Sequence, residues 1–199
     1  MQKGYRQLIT STLIGLMTIG SLNAAPSIVS EKLVQADKNI KNLKPAIEYV
    51  RNHSKLEVVF PTQVPQEGTS TLYAAYDSYY SNPNYNKYWT IDISTQAGCK
   101  VKNCIVGSVT AEKDGRLDVD YLQAPFGENN KPILKEKVKL ANNITGFYTP
   151  GHTEADWHPP KIEWKNKDVL YSITWEIKEN ARQVLTQMAN SAIQARTQK

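Results

Sequence analysis

The stretch KIEWKNKDVLYSITWEI, from Lys161 to Ile177, decides the fold of the C-terminal third of the chain. KIEW (161–164) and VLYSITWEI (169–177) are short runs rich in β-branched and aromatic residues, and 166–168 supplies turn residues between them. From Glu179 to about Arg196 the apolar residues recur at three- and four-residue spacing, which predicts a helix packed on a sheet. The stripe consists of Ala181, Val184, Leu185, Met188, Ala192 and Ile193.

Other β-prone runs precede this hairpin. Hairpin turns are predicted at SNPNYN (81–86) and at Asp114-Gly115, which is the strongest short turn signal in the chain. The predicted strands are LEVVF (56–60), TLYAAYDSYY (71–80), YWTIDIS (88–94), CIVGSVTAEK (104–113), RLDVDYL (116–122), KEKVKLA (135–141) and ITGFYTP (144–150).

The region from Ser27 to Asn52 has a helical pattern of apolar residues. Pro45 lies inside it and predicts two helical segments joined near Lys44, because proline is tolerated in a first helical turn but not in a helix interior. The second segment is expected to end before Lys55. Helices at both ends of a run of hairpins predict an α+β fold, with a single antiparallel sheet of about six to eight strands covered by the N- and C-terminal helices.

The N-terminus resembles a secretory signal peptide. Lys3 and Arg6 precede an uncharged run from Leu8 to Leu22, and Leu22-Asn23-Ala24 fits a small-x-small cleavage pattern. We therefore expect residues 1–24 to be removed, by cleavage after Ala24 or Ala25, and residues 25–199 to form one α+β domain in the periplasm or outside the cell. An uncleaved membrane anchor is the alternative.

Charge and cysteine usage agree with export. The formal net charge is +5, which becomes +3 when Lys3 and Arg6 leave with the signal, and the basic residues are scattered. Scattered charge and export argue against a nucleic-acid partner, and nothing after the signal is apolar enough for an integral membrane segment. Cys99 and Cys104 are the two cysteines, and this spacing in an oxidising compartment predicts a structural disulfide.

Two passages together resemble a bacterial extracytoplasmic domain family of unknown function that is found beside anti-sigma or lipoprotein modules. They are VVFPTQVPQEG (58–68) and KIEWKNKDVLYSITWEI (161–177), the latter followed by ENARQVLTQMANSAI (179–193). The resemblance implies an antiparallel sheet with a C-terminal helix, and it implies no catalytic residues.

A tyrosine-rich hairpin is the first candidate site. Tyr and Trp have an apolar body and a polar tip, which suits protein and glycan interfaces. The alternative is cross-strand aromatic pairing that stabilises the sheet, with some of the rings packed against the core or a helix. The predicted binding residues are Tyr79, Tyr80, Tyr85, Tyr88 and Trp89.

The segment GHTEADWHPP (151–160) is the second candidate. His152, Glu154, Asp156 and His158 offer the nitrogen and oxygen ligands that zinc accepts. The flanking prolines predict a loop between strands, so no helix holds the two histidines one turn apart. The alternative to a metal site is a surface loop in which Trp157 packs on the core.

Catalysis has little support in the sequence. There is no G-x-S-x-G motif, and His53 is expected to contact carbonyl groups at a helix end. We therefore predict a secreted or periplasmic non-enzymatic protein that needs no cofactor and binds a protein or a cell-envelope component. The alternative is a metal-dependent hydrolase that holds zinc in the 151–160 segment.

Overall fold

The computed structural model describes residues 32–66, 68, 70–76, 86–99, 101–117, 135–153 and 157–197. The predicted signal peptide (1–24) lies outside these residues, as do Tyr79, Tyr80, Tyr85, Glu154 and Asp156. In chain order the elements are β1 (Leu33–Gln35), α1 (Ala36–Asn39), β2 (Ile40–Lys41), α2 (Leu43–His53), β3 (Gln63–Pro65), β4 (Leu72–Ala75), β5 (Tyr88–Ser94), β6 (Ile105–Lys113), β7 (Glu136–Lys139), β8 (Thr145–Thr149), β9 (His152–Thr153), β10 (Trp157–His158), β11 (Lys161–Asn166), β12 (Val169–Trp175) and α3 (Ala181–Thr197).

The predicted combination of helices with an antiparallel sheet is present. Eight strands form one sheet in the order β2-β4-β5-β6-β12-β11-β8-β7. The expectation of a single antiparallel sheet needs correction, because β1 with β3 and β9 with β10 form separate two-stranded sheets. The edge strand β2 also pairs in parallel with β4, whereas the other pairs are antiparallel.

The N-terminal region is less helical than the sequence predicts. Only one helical turn, α1, lies between β1 and β2, since Val34 pairs with Val64 and Ile40 pairs with Leu72. The second segment, α2, contains Pro45 in its first turn and ends before Lys55, as expected. LEVVF (56–60) is not a strand; the strand of this region is β3.

The helices cover one face of the large sheet. Every second residue of the central strands points towards α2 and α3, and these side chains form the core. Gly107 of β6 is required there, since a Cβ at this position would lie 2.4 Å from the ring of Trp175. The largest fully buried side chains of the central strands are Trp89, Ile91, Ile93, Ile162, Trp164, Tyr171, Ile173 and Trp175.

The hairpins predicted at 161–177 and at Asp114-Gly115 have different outcomes. β11 and β12 form the hairpin predicted from 161–177, with Lys167 in a positive-φ turn. Residues 118–122 of the strand predicted after Asp114-Gly115 lie outside the described residues. A hairpin of that strand with β6 does not fit the described sheet, because β6 has β5 on one side and β12 on the other along most of its length. Among the described residues, no helix combines the length and the apolar character that crossing a membrane requires.

Candidate functional site

The sheet face opposite the helices carries polar side chains in the register of its central strands. Neighbouring residues on β5, β6, β12 and β11 form two parallel rows, which we call the polar face. One row consists of Asp92, Ser108, Thr174 and Lys161. The other consists of Thr90, Thr110, Ser172 and Glu163.

Several of these polar residues are buried. Thr90 is 1% exposed, Asp92 is 2% exposed and Glu163 is 6% exposed. Buried polar groups are stable only when they are hydrogen-bonded. The Thr110 and Ser172 hydroxyl oxygens are 2.7 Å apart, and the Thr90 hydroxyl donates to Asp92 Oδ1 at 3.5 Å.

A cavity of about 260 Å³ opens on the Asp92 side of the polar face. Its polar lining comes from β5, β6 and β12, and Glu176 follows β12 directly. Ile105, Val106 and Pro159 form an apolar part of the wall. The polar lining residues besides Glu176 are Tyr88, Thr90, Asp92, Ser108, Thr110 and Thr174.

The environment of Asp92 favours its neutral form. Burial raises the pKa of this carboxyl group from 3.8 to about 7, against the opposing effect of the hydrogen bond from Thr90. The pKa of Tyr88 is also raised, mainly by burial, with a contribution from the charges of Asp92 and Glu112. A shifted carboxyl group in a cleft is the arrangement that binding and catalytic sites often show.

Glu163, on the other side of the polar face, lies between two lysines. Its Oε2 is 2.9 Å from Lys135 Nζ and its Oε1 is 2.8 Å from Lys161 Nζ. Burial alone would raise the pKa of Glu163, but the charges and hydrogen bonds of the two lysines outweigh burial and lower it. Glu163 is therefore held as a carboxylate in a structural ion triplet.

The structure divides the described part of the predicted tyrosine surface. Tyr88 is half-buried and lines the cavity. Trp89 is fully buried in the core, so it offers no surface to a partner, contrary to its predicted place among the binding residues. Tyr76 stacks on Tyr49 of α2 with 3.9 Å between ring centroids, which is helix packing of the kind the alternative interpretation expected.

Part of the segment predicted as a loop at 151–160 is paired β-structure, since β9 and β10 are antiparallel partners. The pairing of β8 with β11 reaches Thr149 and Lys161. Three residues farther along each strand, His152 pairs with His158 in the same register, so β9 and β10 extend the β8–β11 ribbon after an interruption. The ladder is interrupted between the two pairs because Pro150 and Pro160 have no N–H to donate.

The two histidines of this hairpin are in contact. Their rings stack with 4.6 Å between centroids, and His152 Nε2 is buried without a hydrogen-bond partner among the described residues. Glu154 and Asp156, the predicted acidic ligands, lie outside the described residues. Within the described ranges, no three histidine, cysteine, aspartate or glutamate side chains are grouped as a metal ion would require.

The cysteines and His53 lie where the sequence predicts. Cys99 and Cys104 form a disulfide with a Cα–Cα distance of 6.2 Å, and the bond closes the connection between β5 and β6. It thereby fixes the chain immediately before Ile105 of the cavity wall. His53 Nδ1 is 2.7 Å from the Tyr49 carbonyl oxygen at the end of α2.

A second cavity, of about 300 Å³, lies between α2, the 57–62 segment and α3. Its lining is mainly apolar. Two of its charged side chains are paired with each other, since Arg196 Nε is 2.6 Å from Glu57 Oε2. This cavity resembles a gap between packed elements. The cavity on the polar face instead contains a buried carboxyl group, Asp92, which accepts a hydrogen bond from Thr90. We therefore take the latter as the candidate site.

The sequence contains a signal for this site. Polar residues alternate with large apolar ones in YWTIDIS (88–94), and Ser and Thr do the same in IVGSVT (105–110) and VLYSIT (169–174). Each strand alone indicates one polar face. Because the order of the strands cannot be read from these patterns, the cavity is visible only once β5, β6 and β12 are side by side.

Comparison of the chain with protein-family models, curated proteins and solved structures found no match. The resemblance to an extracytoplasmic domain family therefore remains a prediction.

Proposed function

We propose that this chain is an exported, non-enzymatic protein that binds a component of the cell envelope in the cavity of its polar face. The observation that carries the proposal is a buried carboxyl group, Asp92, in a cavity lined by hydroxyl groups. Small-molecule sites are concave, with a few convergent polar groups on an otherwise apolar wall. A cavity of about 260 Å³ accepts a small molecule or a small group presented by a larger one.

The signal-like N-terminus and the cysteine pair support export. Disulfides persist in oxidising compartments, and Cys99 and Cys104 lie at disulfide distance. Mass spectrometry of the periplasmic or secreted fraction tests this part of the proposal. A chain that begins at Ala25 or Pro26 with the bond formed is expected; a chain that retains Met1 to Ala24 with both thiols free contradicts export.

Blocking the cavity tests the binding function. Ser108→Leu places a larger side chain in the cavity wall, so it should remove binding while leaving the core unchanged. Ser172→Leu is the matched control, because Ser172 is a half-buried serine on the same sheet face that does not line the cavity. The immobilised proteins would be incubated with envelope extract, and the retained material would be quantified by mass spectrometry.

Wild-type protein and Ser172→Leu are expected to retain the same envelope component, and Ser108→Leu to retain at least about tenfold less of it, since an occupied cavity leaves no room for the bound group. Equal retention by all three proteins, or retention by none, would show that the cavity does not bind an envelope component. Circular dichroism would establish that both variants are folded.

The metal-dependent hydrolase is a second candidate, favoured by the contact between His152 and His158. Two opposed histidines on a ribbon supply two imidazole ligands, and a zinc site needs further ligands from the protein or water. Elemental analysis of the purified mature chain tests it, with His53→Ala as the matched control because His53 lies on α2. About one zinc ion per chain in wild type and His53→Ala, lost in His152→Ala, supports this candidate; a wild-type chain without zinc excludes it.

A further inference from the structure

We infer that a third cavity, at one end of the large sheet, binds the phosphate group of a phosphate monoester through lysine side chains. Its volume is about 460 Å³, and it lies between the segment after α2, the last turn of α3 and the ends of β5, β6, β11 and β12. It shares no lining residue with the cavity of the polar face, so it adds a second site to the proposed function. We call it the lysine cavity. Its basic lining residues are Lys55, Lys87, Lys113, Lys167 and Arg196.

Two of these lysines are opposed across a strand pair. The Lys113 N–H donates to the Lys87 carbonyl oxygen at 2.8 Å, which extends the pairing of β5 with β6 by one residue. Directly opposed residues point to the same face of a sheet with their Cβ atoms about 5 Å apart, and like charges in this arrangement are destabilising. The end of the sheet therefore concentrates positive charge at a cost in stability, and a bound anion would relieve that cost.

Backbone contacts bring a third lysine to the same place. Lys113 pairs with Val169, and Lys167 lies two residues before Val169 in the turn between β11 and β12. The Asp114 N–H donates to the Asp168 carbonyl oxygen at 2.6 Å, so this turn and the end of β6 are held together. The positions from which these lysines extend are therefore set by the sheet and not by a single loop.

The acidic side chains around the lysine cavity do not neutralise it. Five basic and three acidic side chains line it, and Arg196 Nε is 2.6 Å from Glu57 Oε2, so these two charges compensate each other. Four lysines then face two acids, Asp114 and Asp168. In the part of the chain that the structure describes, none of the four lysines forms an ion pair. An excess of two positive charges remains.

The charge and the donors of the cavity match a phosphate monoester better than a carboxylate. A monoester carries up to two negative charges and three terminal oxygens, whereas a carboxylate has one charge and two oxygens. Each lysine is a point charge with three N–H donors, which suits phosphate. Asn86 and Asn166 also line the cavity, and each side-chain amide has two further N–H donors.

The test compares methyl phosphate with acetate at pH 7.5 and equal ionic strength. Nuclear magnetic resonance titration of the wild-type mature chain should give a dissociation constant at least about fivefold lower for methyl phosphate, and combining Lys87→Gln with Lys113→Gln should raise it at least about fivefold. Lys137→Gln with Lys139→Gln is the matched control, because it removes the same charge from exposed lysines of β7 that do not line the cavity. It should change the dissociation constant by less than about twofold.

No preference for methyl phosphate over acetate would overturn the inference. Equal losses in the two double variants would also overturn it, because net charge and not the cavity would then attract the anion. The comparison of the two anions uses only the wild-type chain, so it is decisive whether or not the variants fold. Loss of envelope retention in Ser108→Leu concerns the polar face alone, so the proposed function and the phosphate site can fail separately.

Vesicles distinguish a lipid phosphate from a free one. Phosphatidic acid has a phosphate monoester headgroup, and phosphatidylglycerol is an anionic phosphate diester. Stronger sedimentation with phosphatidic acid vesicles, lost when Lys87→Gln and Lys113→Gln are combined, supports a phosphate presented by a lipid. Binding of methyl phosphate without sedimentation supports a soluble phosphate monoester. Sedimentation with both vesicles and no binding of methyl phosphate would overturn the inference, since surface charge alone would explain it.

Discussion

Asp92 and Glu163 are buried carboxyl groups on the same face of the same sheet, and their pKa values move in opposite directions. Burial acts on both and favours the neutral form. At Glu163 two lysines within 3 Å outweigh burial and lower the pKa. At Asp92 burial prevails over the hydrogen bond from Thr90, and the pKa rises to about 7.

The difference separates an acid that its lysine neighbours hold as a carboxylate from an acid whose neutral form is favoured by burial. The ion triplet around Glu163 satisfies its own charge, so it offers nothing to a ligand. At Asp92 burial makes the carboxylate form costly, so the group favours its neutral form. Binding sites commonly retain such locally unfavourable groups, because function and maximal stability compete.

Asp92→Asn should produce the largest effect, and its sign depends on pH. The folded chain keeps Asp92 protonated up to about pH 7, whereas the unfolded chain releases this proton near pH 4. Between these values the folded state binds more protons, so the stability of the wild type falls as pH rises. Asparagine does not titrate. The variant should equal the wild type near pH 4 and exceed it by up to about 4 kcal/mol above pH 7.

Urea unfolding followed by circular dichroism between pH 4 and pH 8 measures this difference. The variant's advantage should grow steadily across the interval. A difference that is constant with pH, or one that shrinks as pH rises, would show that Asp92 is ionised in the folded chain at neutral pH and that the contrast with Glu163 is false. Glu112→Gln is the control, since it removes an exposed carboxylate from the neighbouring strand.

Glu163→Gln should have a smaller effect of opposite sign. The lowered pKa of Glu163 means that its contribution is present above the pKa of an ordinary glutamate and is lost as pH falls through the folded-state value. At pH 7 the variant should be less stable by about 2 kcal/mol. This is below the usual cost of breaking a buried ion pair, because Lys161 is 36% exposed and can reach water.

The same unfolding measurement, extended to pH values below 4, tests this second variant. Its deficit should shrink as pH falls through the lowered folded-state pKa of Glu163, because below that pKa the carboxyl group is protonated in both states. A deficit that persists undiminished in acid would mean that Glu163 contributes through packing and not through its charge. The opposite pH trends of Asp92→Asn and Glu163→Gln together form the sharpest test of the comparison.

The parts of this fold that local pattern controls could be predicted from the sequence. The hairpin from Lys161 to Trp175 and helix α3 follow from alternation, turn residues and helical spacing. The Asp114-Gly115 hairpin could not be excluded from the sequence, because only the tertiary arrangement shows that both sides of β6 are occupied. Long-range pairing also turned the predicted first helix into β1 and β2.

The candidate site depended on long-range pairing even more strongly. Tyr88 was identified from composition, but Asp92 was not, because one acid in an alternating strand resembles any solvated position. Its burial follows from strand order, which no local pattern specifies. The contact between His152 and His158 likewise required the register of the ribbon, since the prolines around it indicated a loop.

The two lysines of the ion triplet provide the smallest test, and they should not be equivalent. The Lys135 side chain is 15% exposed and that of Lys161 is 36% exposed, so water screens the second pair more. Lys135→Met should lower the free energy of unfolding at pH 7 by about 1 kcal/mol, and Lys161→Met by about 0.5 kcal/mol or less. Adding 1 M sodium chloride should reduce the Lys161 effect more than the Lys135 effect, since salt screens exposed charges first. Equal losses that respond equally to salt would mean that Glu163 is as hydrated as a surface carboxylate, and burial would then not distinguish the two sides of the polar face.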